Sequence, residues 1–130
     1  MAAGGSQLDP ARAAGHLAGM LIYKILRTPE WLALQAQGQT AGAPIDVADG
    51  FVHFSTAEQA PETAARHFAG VEGLWLLTVA AEPLGAALAW EPSRGGALFP
   101  HLYGLLRLAD VLAAQPLPLI GGQHQFPPLA

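Results

Sequence analysis

The sequence predicts an α+β domain, a mostly antiparallel sheet carrying two main helices. Two segments open with helix-start signals, Thr28-Pro29-Glu30 and the stretch from Ser55 to Pro61, and many short β-rich runs bounded by Gly and Pro lie between and after them. The longest apolar stretch, Leu74 to Ala81 (LWLLTVAA), has the length of a buried strand and falls far short of the ~18–20 residues that cross a bilayer. At 130 residues the chain is near the commonest size of one domain, so one hydrophobic core is expected.

Taken in order, residues 1–19 are rich in Ala and Gly, lack apolar periodicity and read as a flexible extension. The domain proper is expected over residues 20–119, opening with the β-rich Leu21–Leu26 (LIYKIL). A helix follows, with Thr28 as N-cap, Pro29 at the first helical position, Glu30 in the favourable first turn and a stop at Gly38. Trp31, Leu32 and Leu34 supply its apolar stripe. Residues 38–50 carry Gly, Pro and Asp without a sustained period and read as a long loop, a kind that commonly borders a site. A strand over Phe51–Ser55 leads to a second helix, with Ser55 and Thr56 as candidate caps and Glu58 and Gln59 three residues on. Pro61 belongs in its first turn, Ala64, Ala65 and Phe68 can face the core, and Glu62 pairs with Arg66. The apolar run Leu74–Ala81 is the central strand. Strands are expected over 87–91 and 98–103, a strand plus a helical turn over 105–114, and an edge strand with two prolines over 115–120. Residues 120–130 read as a loose tail.

Composition excludes several functions. Six Lys plus Arg stand against ten Asp plus Glu, a net charge of −4, and the basic residues are scattered singly, whereas phosphate neutralisation along a nucleic acid needs a basic stripe. With no cysteine there is no disulfide scaffold and no thiol chemistry. The apolar fraction of 52% owes much to 26 alanines and does not mark a membrane protein. No secretion signal is read at the N-terminus, so the cytoplasm is the expected location.

Candidate chemistry sits where strands run into turns. Phe51, His53 and Ser55 share one face of a strand, and Val52 and Phe54 the other. The competing reading makes Ser55 a cap and His53 a structural histidine. In Phe99-Pro100-His101-Leu102-Tyr103-Gly104, His101 and Tyr103 share a face; imidazole moves a proton near neutral pH and a phenol donates a hydrogen bond or stacks. Glu91 ends an apolar strand beside Trp90, where a carboxylate can orient a sugar hydroxyl or stabilise a cationic transition state. Arg94 lies in the glycine-rich Pro92-Ser93-Arg94-Gly95-Gly96, where it can hold a phosphate. Neither His-containing segment has zinc-ligand spacing, so no metal is expected.

Three motifs, Leu21-Ile-Tyr-Lys-Ile-Leu26, Gly50-Phe-Val-His-Phe-Ser-Thr56 and Trp90-Glu-Pro-Ser-Arg through Leu98-Phe-Pro-His-Leu-Tyr-Gly104, together resemble the bacterial family called domain of unknown function 952, over residues 20–119. That resemblance implies a fold similar to the ADP-ribosyltransferases. The stretch from Phe51 to Arg66 is also similar to a strand and helix of the RNA 2′-phosphotransferases, which share that fold and use NAD. Here Tyr23-Lys24 stands in place of their Arg-His pair, and Glu91 in place of their later Arg. Glu91 is the nearest positional match to the catalytic Glu of the transferases. The resemblance thus implies one cleft with Glu91, His53 and His101 as catalytic residues and Tyr23, Lys24, Ser55, Arg94 and Tyr103 as ligand contacts. The expected partner is a small nucleotide-like molecule, with NAD as a substrate and no resident cofactor. The alternative is a non-catalytic module binding such a metabolite.

Overall fold

The computed structural model describes residues 19–129, so the expected N-terminal extension, but for Gly19, lies outside the described residues. Among the described residues the fold is mixed, with three α-helices and mostly antiparallel strand pairs. Strand β1 (Leu21–Arg27) pairs antiparallel with the central β4 (Leu74–Ala80), Leu21 opposite Ala80 and Arg27 opposite Leu74. On the far side of β4 lies β8 (Val111–Leu117), with a register shift between Thr78 and Val79. A second three-stranded sheet places β6 (Leu98–Leu102) between β3 (Val52–His53) and β5 (Leu88–Pro92). The two sheets meet at one bridge, where Tyr23 and Ser55 exchange two backbone hydrogen bonds of 2.8 Å.

Alternation along β1 and β4 explains the core. Ile22, Leu26, Leu77 and Val79 face helix α1 (Thr28–Gln37), with Trp31 and Leu34 closing over them and Val52, Phe54 and Leu102 joining from the second sheet. The opposite face, Tyr23, Ile25, Leu74 and Leu76, packs on Ala60 and Ala64 of α3 (Ala60–His67). β4 is therefore covered on both sides, which its continuous apolar character requires.

Several expectations change for physical reasons. Thr28 is not the cap of α1: its hydroxyl donates to the carbonyl of Gly73 at 2.7 Å and accepts from Trp75 Nε1 at 3.2 Å, fastening the helix start to β4. The Glu30 carboxylate accepts the Arg27 backbone N–H instead. Leu32 is exposed, leaving Trp31 and Leu34 as the buried stripe. At α3, Thr56 and Gln59 bond reciprocally, while Ser55 turns its hydroxyl to Thr63. Ala64 is buried and Ala65 is exposed.

The expected loop over 38–50 instead contains β2 (Gln39–Thr40), paired with β7 (Leu106–Arg107), and helix α2 (Pro44–Asp49). Pro44 sits in the first turn, Asp46 accepts the Ala43 N–H, and Gly50 ends the helix at a left-handed φ of 87°. Its Ile45 and Val47 are exposed and its inward residue is Asp46, so no apolar period announces it. The 105–114 region opens as expected with a strand and one helical turn, β7 and then a single 3-10 turn (Leu108–Asp110), but β8 follows at once, and Pro116 is tolerated because β8 is an edge strand. The expected loose tail is tied down over its described part: β9 (Leu119–Ile120) pairs with β10 (Gln123–His124), His124 Nε2 donates to the carbonyl of Val71 at 2.8 Å, and Phe126 and Leu129 pack on the second cluster. Among the described residues no helix is long and apolar enough to cross a membrane.

Gly42 holds a φ of 101°, and a Cβ there would lie 2.2 Å from Asp46 Oδ2, whereas one at Gly50 would meet nothing within 4 Å. Gly42→Ala adds a clash with a fixed carboxylate to the left-handed strain and is expected to cost about 3 kcal/mol or more. Gly50→Ala carries the strain alone, about 1–2 kcal/mol. Urea midpoints of the two variants check this; equal losses would rule out packing against Asp46 as the reason for Gly42.

Candidate functional site

The site is assembled at the seam of the two sheets, from the buried Asp46 outward. Lys24 points from β1 to the α1 side, away from Tyr23, and its ammonium lies 2.7 Å from Asp46 Oδ2. The same oxygen accepts the Ala43 N–H at 2.7 Å. Asp46 Oδ1 accepts the His53 backbone N–H at 3.0 Å and faces His53 Nδ1 at 2.5 Å. Asp46 is completely buried, so each donor replaces water that the carboxylate has lost.

Burial alone pushes the Asp46 carboxyl up. The His53 hydrogen bonds and the Lys24 charge outweigh it and bring the group from 3.8 to about 2. Lys24 is pulled below its ordinary 10.5, because its own burial exceeds the support it draws from Asp46.

His53 leads from this ion pair to the surface. Its Nε2 lies 3.0 Å from Oδ2 of Asp49, the last residue of α2, so the ring stands between two carboxylates. Directly opposite, across the β3–β6 pairing, is His101, the ring centroids 5.4 Å apart and edge-on. Phe51 stacks on His101 at 4.1 Å and also touches the rings of His53 and Tyr103. Ala89 of β5 faces His101, and its small side chain leaves room for Glu91, two residues along on the same face, to reach His101 diagonally. Glu91 Oε1 accepts from His101 Nδ1 at 2.7 Å and from the Tyr103 hydroxyl at 2.8 Å. Hydrogen bonds from His101, then Tyr103, hold Glu91 below its ordinary carboxylate value; the bond to Glu91 in turn raises the Tyr103 phenol.

Thus Lys24, His53, Glu91, His101 and Tyr103 lie in one chain of contacts, which runs from a dry ion pair to half-exposed carboxylates. Tyr23 and Ser55 do not join it: they share the opposite face, Tyr23 packing with Ala60 and Ala64 and Ser55 bonded to Thr63. The backbone of Arg94 forms the turn Arg94–Gly96 between β5 and β6, and its side chain lies outside the described residues. No group of three His, Cys, Asp or Glu side chains fit to hold a metal occurs among the described residues. Asp46 and Asp49 escape sequence reasoning, and Phe51, read only as sharing a strand face with His53, is not among the expected site residues. The spacing Asp46-x-x-Asp49-x-x-x-His53 signals their proximity only once residues 44–49 are known to be helical.

Removing one partner of a buried pair leaves the other charged and unsolvated, so Asp46→Ala is expected to cost about 3–5 kcal/mol, by stranding Lys24. Lys24→Met leaves Asp46 its three His53 and Ala43 donors and should cost less than half as much, measured by urea unfolding at pH 7. Asp46 also fixes an acid limit. The unfolded carboxyl, at 3.8, takes up a proton before the folded one at about 2. Its contribution of about 2 kcal/mol is therefore complete above pH ~4 and lost as pH falls through about 2. Tryptophan fluorescence during acid titration reads this loss.

Residues 25–114 match the family described as protein of unknown function DUF952. Solved structures similar to this chain include the crystal structure of protein CC0527 from Caulobacter crescentus, 54% identical, covering 81% of this chain and 93% of that one with a TM-score of 0.79. A double mutant of CC0527 matches at 53% identity over 81% and 93% of the two chains, with a TM-score of 0.78. The solution NMR structure of CC0527 is 53% identical over 80% and 90%, with a TM-score of 0.72. None of the curated proteins matches the chain at a significant level. With the family signature running from β1 into β8 and so spanning the whole Lys24–Tyr103 contact chain but for Lys24 itself, the protein belongs to the DUF952 family.

Proposed function

We propose that the surface formed by Phe51, His53, Glu91, His101 and Tyr103 binds NAD or a related nucleotide-derived ligand, in a fold of the ADP-ribosyltransferase type. The observation that carries this reading is the convergence of Glu91, His101 and His53, drawn from three strands, on one cluster of aromatic rings and half-exposed carboxylates. Glycosidic cleavage of NAD passes through a cation-like sugar, which an ionised carboxylate stabilises when it is held in place beforehand. Glu91 is such a carboxylate, kept charged by the two donors that orient it. Phe51 and Tyr103 offer ring faces to the cationic nicotinamide. Lys24 and Asp46 cancel each other in the interior, so the surface groups Asp49 and Glu91 suit the sugar and ring end of the ligand and leave its phosphates to be met elsewhere. In this reading the protein is an ADP-ribosyltransferase-like or phosphotransferase-like enzyme of the cytoplasm, a reducing compartment that a cysteine-free chain suits.

One observation favours binding without turnover: His101 and Tyr103 already occupy both Glu91 oxygens, so the carboxylate is less free to follow a reaction. Calorimetry with NAD, paired with an assay of nicotinamide release, separates the two. For an enzyme, Glu91→Gln should bind NAD comparably and release nicotinamide about 100-fold more slowly. Binding without release, indifferent to that substitution, establishes the non-catalytic module, and absence of NAD binding refutes the nucleotide reading.

A further inference from the structure

We infer that Asp46 is a positioning residue that holds the proton of neutral His53 on Nδ1, leaving Nε2 as the proton acceptor of the site, with Asp49 as a displaceable cover over it. The ligand class this acceptor takes is an O–H donor such as a ribose hydroxyl, and to that extent the inference rests on the reading above.

The argument is one of donor counting. Carboxylate oxygens accept and cannot donate, and His53 faces one at each nitrogen, Asp46 at 2.5 Å and Asp49 at 3.0 Å. Both contacts are hydrogen bonds only while the ring carries two protons. With one proton, one nitrogen turns a lone pair toward a carboxylate, and that contact must open. Asp46 cannot be the one to move. It is fully buried, pinned by Lys24, by the Ala43 N–H and by the backbone N–H of His53 itself, and a lost donor there has no water to replace it. Asp49 is 43% exposed, sits at the end of α2 and can turn to solvent at little cost. The proton therefore stays on Nδ1 and Nε2 is uncovered.

The arrangement also explains a pairing that stability alone does not require. A buried Lys–Asp pair is commonly no better than apolar packing. Here it fixes the one carboxylate that sets the tautomer of a half-exposed histidine, whose other neighbours, the rings of Phe51 and His101, contribute no charge-assisted bond to it.

Long-range proton–nitrogen spectra of the 15N-labelled full chain test this without any ligand, with His53 signals assigned by their loss in His53→Gln. At a pH where the ring is neutral, the Nδ1–H form should exceed the Nε2–H form by about tenfold or more, as expected when one tautomer keeps a bond to a buried charge. Asp49→Asn should leave that ratio unchanged. A predominant Nε2–H form, or an even mixture, in the wild type overturns the inference. In Asp46→Asn with a folded amide spectrum, the preference should be lost, and its persistence overturns the positioning role. If Asp46→Asn does not fold, the wild type and Asp49→Asn decide by themselves. Addition of NAD should then shift Nε2 and spare Nδ1. A ring with the expected tautomer that NAD leaves unmoved refutes the nucleotide reading and upholds the Asp46–His53 assignment.

Discussion

A single buried carboxylate, that of Asp46, organises the region where the two sheets meet. Its two oxygens take donors from β1, from the turn before α2 and from β3, so three segments distant in sequence are fixed by four contacts on one group. The cost of burying a charge makes this arrangement strict. In water each segment would be free to move by an ångström; in the interior an unpaired donor or acceptor costs as much as several methylenes. Gly42 belongs to the same constraint, since only a residue without a side chain lets the backbone pass so close to the carboxylate.

From that fixed point the geometry of the surface cluster follows through strand register. His53 and His101 are directly opposed, Ala89 completes the row, and Glu91 reaches back along the diagonal. Because the side-chain period of a strand is two, a slip of one residue would exchange the faces of the buried His101 and Leu102, taking the imidazole away from Glu91 and the leucine out of the α1-side cluster. Register is secured by the apolar residues between the polar ones: Val52, Phe54 and Leu102 are buried in the α1-side cluster, so the hydrophobic core holds the polar face in alignment. The Tyr23–Ser55 bridge then joins this sheet to β1, bringing Lys24 within reach of Asp46.

Phe51 gives the cluster its cohesion. It stands between both histidines and Tyr103, and its ring replaces water against the imidazole faces. Hydrogen bonds to half-exposed carboxylates are weak when water competes, and a partly excluded face strengthens them. The electrostatic pattern is graded: a neutralised ion pair inside, two carboxylates outside, and two imidazoles between them.

Much of the fold is written locally. The apolar run Leu74–Ala81, the Pro-Glu start of α1 with Gly38 at its end, and the Pro61 turn of α3 each follow from short-range chemistry, and all appear in the structure at or near their expected places. The convergence of His53 with Glu91 and His101, which lie in two separate motifs, was implied by the family resemblance and not by spacing, because sequence spacing says nothing of which strands lie side by side. Helix α2 was illegible for a plainer reason: its buried side chain is an aspartate and its exposed ones are Ile45 and Val47, the reverse of the pattern that reveals a helix. The same reversal hid Asp46. By itself, the sequence determined most of the segments that form strands and helices, α2 apart, and which side chains are candidates for chemistry, since backbone preference and residue type are local properties. Only the tertiary structure decided that Lys24 is spent on Asp46, that Tyr23 and Ser55 face away, and that His53 lies between two carboxylates, because these depend on long-range pairing and on the cost of leaving a buried charge alone.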